Sequence, residues 1–161
     1  MHPARPGGAL VTARPINHLP YPPPMRWTKG EFAVVDNQAL IDSEAVHDFL
    51  STSYWARGRS RMVVDLAMER SLSFGLLHGD RTVGFARVIT DFAVVGVVED
   101  VYVLPEYQGQ GLGRFLMESV LEHPALAGLE VYTASRKARG FYEGLGFEPL
   151  DDPAAYMRLA R

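Results

Sequence analysis

The chain has 161 residues, 47% hydrophobic and 22% charged, with a formal net charge of −3. That size and balance fit one globular domain with its own core, and they exclude a disordered chain or a broadly basic nucleic-acid binder. There is no cysteine, which excludes a disulfide framework, a thiol nucleophile and a thiolate metal site.

Seven of the eleven prolines fall in the first 24 residues, and Arg5, Arg14, Arg26 and Lys29 are the only formal side-chain charges before Glu31. Residues 1–30 therefore read as an extended or disordered arm, because they offer too little apolar surface to offset their ordering entropy. A basic recruitment arm and a natural start at Met25 are the alternatives. No stretch approaches the roughly 18 apolar residues of a membrane helix. Prolines 3, 6, 15 and 20 interrupt any signal-peptide core, so a cytoplasmic location is expected.

Residues 31–161 are expected to form a single domain. Phe32–Val35 is a short β-type run. Ser43 is placed to cap a helix through Ala45, Val46, Phe49 and Leu50. A second helix is predicted over Arg59–Leu72, with Met62, Leu66 and Ala67 on its buried face. Phe74–His78, the turn pair Gly79-Asp80 and Arg81–Thr90 read as an antiparallel hairpin. A third strand follows over about Ala93–Leu104, then an amphipathic helix with Leu112, Leu116, Ser119 and Val120 along one stripe and Pro124 beyond its end. Leu129–Thr133 reads as a strand, Arg136–Leu145 as a helix stopped by Gly146, and Tyr156–Leu159 as a last strand. The order predicts a mixed α/β domain.

The chemistry sits where the third strand meets its helix. Gly109, Gly111 and Gly113 alternate there, and glycines let a bulky anion approach main-chain N–H groups. The unpaired N–H groups and dipole of the helix's first turn add to the attraction, so a diphosphate is the natural guest. Arg114-Phe115 stands where a Walker loop needs Lys-Ser or Lys-Thr, and Leu116 occupies the third glycine of the dinucleotide fingerprint. Neither nucleotide motif is complete.

Gln108-x-x-Gly111-x-Gly113, preceded by Val103-Leu104-Pro105-Glu106-Tyr107, resembles the signature of the GNAT superfamily of N-acetyltransferases. Ala138-Arg139-Gly140-Phe141-Tyr142, continuing to Gly146-Phe147, is similar to that family's last helix. The resemblance implies a mixed, mostly antiparallel sheet with helices on both faces. A splayed parallel strand pair, Ala93–Leu104 and Leu129–Thr133, would hold acetyl-CoA as co-substrate, with no metal. It implies cofactor contacts from Val101, Tyr102, Val103, Gln108, Gly109, Gln110, Gly111, Leu112, Gly113 and Arg114. Ser135 stands where the family has an asparagine on the pantetheine arm, and a hydroxyl can also bond an amide. Gln108 replaces the arginine of many members, and Arg114 offers a nearby cation instead.

Tyr142 is implied as general acid at the cofactor sulfur. Glu99 and Asp100 are the candidates to deprotonate the amine; strand alternation predicts that they face opposite ways. Their alternative is an ion pair or an exposed strand end. If both serve the amine, the site is electronegative and should prefer cationic acceptors. Tyr54 and Trp55 stand where the family forms an acceptor wall, as cation–π partners or as core, and Asp91 is a further acceptor candidate. The five histidines show no metal-ligand spacing. The expected function is N-acetylation of a small-molecule amine. A protein or peptide amine is the runner-up acceptor, and a non-catalytic acyl-CoA-binding module the alternative from another class. A homodimer is compatible; nucleic acid and membrane are not expected partners.

Overall fold

The computed structural model describes residues 22–159. The proline-rich segment up to residue 21 lies outside the described residues, as do the last two. The strands are β1 (Arg26–Lys29), β2 (Phe32–Val35), β3 (Leu72–His78), β4 (Arg81–Thr90), β5 (Val95–Val103) and β6 (Glu130–Thr133). The main helices are α1 (Ser43–Thr52), α2 (Arg61–Glu69), α3 (Leu112–Leu121) and α4 (Arg139–Glu143). All six strands form one sheet in chain order, antiparallel except for the parallel pair β5–β6.

Period-2 alternation sends neighbouring residues to opposite faces of this sheet. Val35, Leu77, Phe85 and Tyr102 meet α1 and α2, which bury Val46, Leu50, Val64 and Met68 against them. Val34, Leu76, Val83 and Val88 face the other way, onto Leu112, Leu116, Met117 and Val120 of α3. Each such large side chain contributes about 1.5–3 kcal/mol on burial. The mixed sheet with helices on both faces is thus as the sequence predicts.

Four expectations are corrected. Arg26–Lys29 is not arm but strand, paired with β2 through a turn at Gly30, whose φ of 60° favours glycine; the surrounding prolines hide a strand of only four residues. Asp42, not Ser43, caps α1, accepting from the backbone N–H groups of Glu44 and Ala45. In α2, Val64 and Met68 face the core, while Met62, Val63 and Leu66 are exposed. Apolar residues lie on several sides of α2, so its period is ambiguous, and packing against α1 decides. Tyr156–Leu159 is not a strand; Tyr156 meets β6 through its ring, against Tyr132.

Two irregularities shape the β5 edge of the sheet. β6 pairs with β5 only from Val95↔Glu130 to Val98↔Thr133, so among the described residues β5 continues to Val103 with no strand beside it on that edge. Between β4 and β5 the register slips: Arg87 faces Glu99 but Phe85 faces Tyr102. Asp100 and Val101 therefore both stand opposite Ala86, a β-bulge. Asp100 takes φ 54° there, a left-handed conformation that Asp adopts more readily than most residues. On the far side of the molecule, Asp36 accepts from Met25 N–H at 2.6 Å and meets His123 Nε2 at 3.0 Å. His123 Nδ1 accepts from Ala125 N–H, so Nε2 carries the proton facing Asp36, and the pair ties β2 to the end of α3. Among the described residues no helix is long and apolar enough to cross a membrane.

Candidate active site

Two clefts open along the free edge of β5. One, of about 510 Å³, runs from Val101–Val103 past Gly109, Gly111 and Gly113 to Phe141 and Tyr142. The other, of about 620 Å³, lies between Tyr54 and Trp55, the β5 residues 98–101, and the loop 133–138 that leads into α4. They meet at Val101, Ala138 and Tyr142.

The first cleft is built mostly of main chain. Gly111 is the N-cap of α3 with φ 72° and makes no side-chain cap bond, so the N–H groups of the first turn point out of the helix unpartnered by it. Gly109 has φ 77° and open space where a Cβ would stand. At Gly113 a Cβ would meet protein atoms no closer than 3.7 Å; glycine there is not demanded by packing, and its absent side chain leaves room on the cleft side. Such a cradle fits a diphosphate. The ring of Tyr102 stacks on Phe49 across the sheet, centroids 3.8 Å apart, so Tyr102 offers the cleft its backbone.

The side chains expected at the phosphates are engaged otherwise. The Gln108 amide donates to the Val103 carbonyl at 2.9 Å and fastens the loop to the end of β5. Arg114 donates to Glu118 at 3.2 Å and to the Gly144 carbonyl at 2.9 Å, joining α3 to α4. Gln110 is exposed on the loop and does not line the cleft. A cation comes instead from the β1 end: Lys29 Nζ stands 3.3 Å from where a Cβ on Gly111 would be. Lys29 falls within the expected arm, so its place at the cradle is a second correction to that segment.

In the second cleft Asp100 is fully committed. Arg59 Nη1 donates to both its oxygens at 2.9 and 2.7 Å, Arg87 Nε donates at 2.7 Å and Trp55 Nε1 at 3.2 Å. Its side chain is 1% exposed. This is the ion-pair alternative, and neither arginine stands out in the sequence, since the partners lie 41 and 13 residues away. Glu99 and Asp100 line the same cleft; the bulge overrides the alternation that would have separated them. The Glu99 carboxyl is pushed above the ordinary range by burial and then by Asp100, with Arg87 and Arg59 partly offsetting. The expected electronegative pocket is also corrected: around Glu99 and Asp100 stand Arg59 and Arg87, with Arg136 and Lys137 in the lining.

Tyr142 is buried, and its hydroxyl is held above its usual value chiefly by burial, with the negative field of Glu99 adding and a hydrogen bond with Thr133 opposing. It therefore stays protonated at neutral pH. Ser135 Oγ accepts from Ala138 N–H at 3.0 Å and starts the turn into α4, leaving its own proton to donate. Tyr54 and Trp55 are exposed on the cleft wall. Asp91 is elsewhere: its Oδ1 accepts from the N–H groups of Ala93, Val94 and Val95, which lowers its pKa to about 2. That turn, and not an acceptor, explains the residue. Among the described residues no group of His, Asp and Glu is arranged to hold a metal ion.

Known proteins share this geometry. Residues 69–149 match the family model described as "Acetyltransferase (GNAT) domain". A solved structure from Xanthomonas campestris pv. campestris, of a protein belonging to the GNAT family, superposes with a TM-score of 0.78 at 36% identity, covering 81% of this chain and 93% of that one. The peptidyl-lysine N-acetyltransferase YjaB of Salmonella typhimurium is 30% identical over 76% of this chain and 79% of its own length. The histone acetyltransferase TAP1 of Glycine max is 37% identical over 74% of this chain. The chain spans only 53% of that plant protein. With the splayed strand edge, the glycine cradle and the buried tyrosine between the clefts, these matches place the chain in the GNAT family of acetyltransferases.

Proposed function

We propose that the protein moves an acetyl group from acetyl-CoA to a primary amine of a small molecule by direct attack on the thioester. When bound, acetyl-CoA supplies the activated acyl group and a thiolate leaving group. The observation that carries the reading is the meeting of the two clefts at Val101 and Tyr142, with Glu99 on the acceptor side of that junction.

The diphosphate is held by the N–H groups around Gly109–Gly113 and by the Lys29 ammonium. The free edge of β5 at Val101–Val103 takes the pantetheine arm as an added strand would be taken, and Ser135 donates to one of its carbonyls. Donors on that edge face the thioester oxygen, where negative charge develops. Glu99, whose carboxyl burial pushes above the ordinary range, is suited to receive the amine's proton. Tyr142 keeps its own proton and gives it to the departing sulfur. Asp100 acts through others: it anchors the bulge with Arg59, Arg87 and Trp55 and so positions Glu99 and Val101. A peptide amine is the second reading, favoured by the name of the Salmonella relative.

The test is a thermal shift with acetyl-CoA followed by CoA release over an amine panel. Saturating acetyl-CoA should raise Tm, by about 2.7 kcal/mol of stabilisation at about 100 times Kd. Gly111→Val should abolish the shift, since its φ of 72° strains any branched residue and a side chain meets Lys29. The turnover rate should climb with pH as Glu99 loses its proton, above the usual carboxylate range, and Glu99→Gln should remove that limb. No shift at millimolar acetyl-CoA overturns the reading.

A further inference from the structure

We propose that the acceptor amine carries an anionic group, a carboxylate or a phosphate, close to the nitrogen it presents. This rests on the acetyl-transfer reading and names the class of substrate for the same site. The starting point is the distribution of charge in the acceptor cleft. Asp100 has no free valence for an ammonium, because two guanidinium groups and an indole N–H already occupy its oxygens. Two arginines on one carboxylate leave a surplus positive charge. Glu99, in the field of both, offsets that surplus and is, among the described residues lining the cleft, the carboxylate left open to an amine.

At the rim the balance turns positive. Arg136 and Lys137 both line this cleft and neither lines the glycine cleft, so their charges belong to the acceptor's side and not to the diphosphate's. Lys137 Nζ lies 4.5 Å from the centroid of the Tyr54 ring. It thus bridges the mouth from the loop before α4 to the wall formed by the loop after α1. Among the described residues neither cation has a carboxylate partner. Contact with an aromatic face holds an ammonium in place and leaves its donors available.

A diamine entering this cleft would bring its second ammonium against Lys137 and Arg136. A zwitterionic acceptor meets complementary charge at both ends: its amine at Glu99, its anion at the rim. Two charge-assisted contacts also orient the nitrogen toward the Val101–Tyr142 junction, which a neutral amine would have to achieve with one.

Matched pairs decide it: an α-amino acid against its amide, and phosphoethanolamine against ethanolamine. We expect kcat/KM to favour the anionic member of at least one pair by roughly tenfold or more, the scale of a hydrogen bond to a charged group. Which pair shows it separates carboxylate from phosphate. Lys137→Gln should lower kcat/KM for the anionic member by roughly tenfold and affect the neutral twin far less. Arg136→Gln should act in the same direction. Calorimetric binding of the anionic member to protein saturated with CoA should weaken in parallel, a readout independent of turnover. Equal constants within both pairs, a preference for diamines, or an unaltered preference in Lys137→Gln overturns the inference while acetyl transfer stands. Absence of turnover with every amine, despite acetyl-CoA binding, overturns the acetyl-transfer reading itself and the inference with it.

Discussion

The donor cleft and the acceptor cleft share one strand edge but are made of different material. The donor cleft is backbone: positive-φ glycines at 109 and 111, the first turn of α3 and the unpaired edge of β5. The acceptor cleft is side chain: an Asp100 knot tied by Arg59, Arg87 and Trp55, with Glu99 and Lys137 placed around it. Backbone geometry is written in contiguous residues, so one local segment specifies it. A side-chain knot is assembled from three segments far apart in the chain and can be rewired without disturbing the backbone cradle. On this division, what the enzyme accepts can change while what it takes the acetyl group from does not.

The strongest way to break that division is Asp100→Ala. It leaves two arginines, one of them buried, without their counter-charge. It should cost about 3–5 kcal/mol, the usual scale for opening a buried pair, read as a fall in Tm. If the two clefts are as separable as their construction indicates, the stabilisation by acetyl-CoA should keep its size in the mutant; its loss would show the knot supports both. Asp100→Asn should fall between the two, since Asn tolerates positive φ and keeps an acceptor oxygen.

Next in size, Tyr142→Phe probes the seam. It should lower kcat by roughly 10²-fold, the scale of a lost general acid, while the Kd for acetyl-CoA stays close to wild type. Equal turnover would return Tyr142 to a packing role. The smallest effect sharpens the donor side alone: Lys29→Met should weaken acetyl-CoA binding by roughly three- to tenfold. The loss should shrink as salt rises, because the contact is an exposed charge pair. The preference among acceptors should not move.

The same division explains what was legible in the sequence. The glycine loop and the α4 segment could be read because their conformation is local: Gly111 starts α3 and Phe141-Tyr142 packs at its side whatever the rest of the chain does. The hairpin of β3 and β4 was legible for the same reason, as alternation around Gly79-Asp80. For Asp100 an ion pair was among the readings but its partners were not, since nothing in Glu99-Asp100 announces Arg59, Arg87 or the bulge that turns both acids into one cleft. Lys29 was lost because composition averaged over a window follows the prolines, while β1 is decided by pairing with β2. The face of α2 was lost because its apolar residues fit two stripes, and contact with α1 selected Val64 and Met68.

The chain-order arrangement of the strands also says something about how the molecule assembles and where it gives way. β1 with β2, and β3 through β5, can zip antiparallel as chain neighbours, whereas β3 reaches β2 only after α1 and α2. β6 joins last and in parallel, after α3 has crossed over and docked. It is then held by four register pairs, Val95↔Glu130 to Val98↔Thr133. A late-joining, short edge element is where local opening costs least. The amides of β6 and α4 should therefore exchange hydrogen sooner than those of β3 and β4. Because that same edge bounds both clefts, the binding of acetyl-CoA would act as a second clasp on the least secure strand.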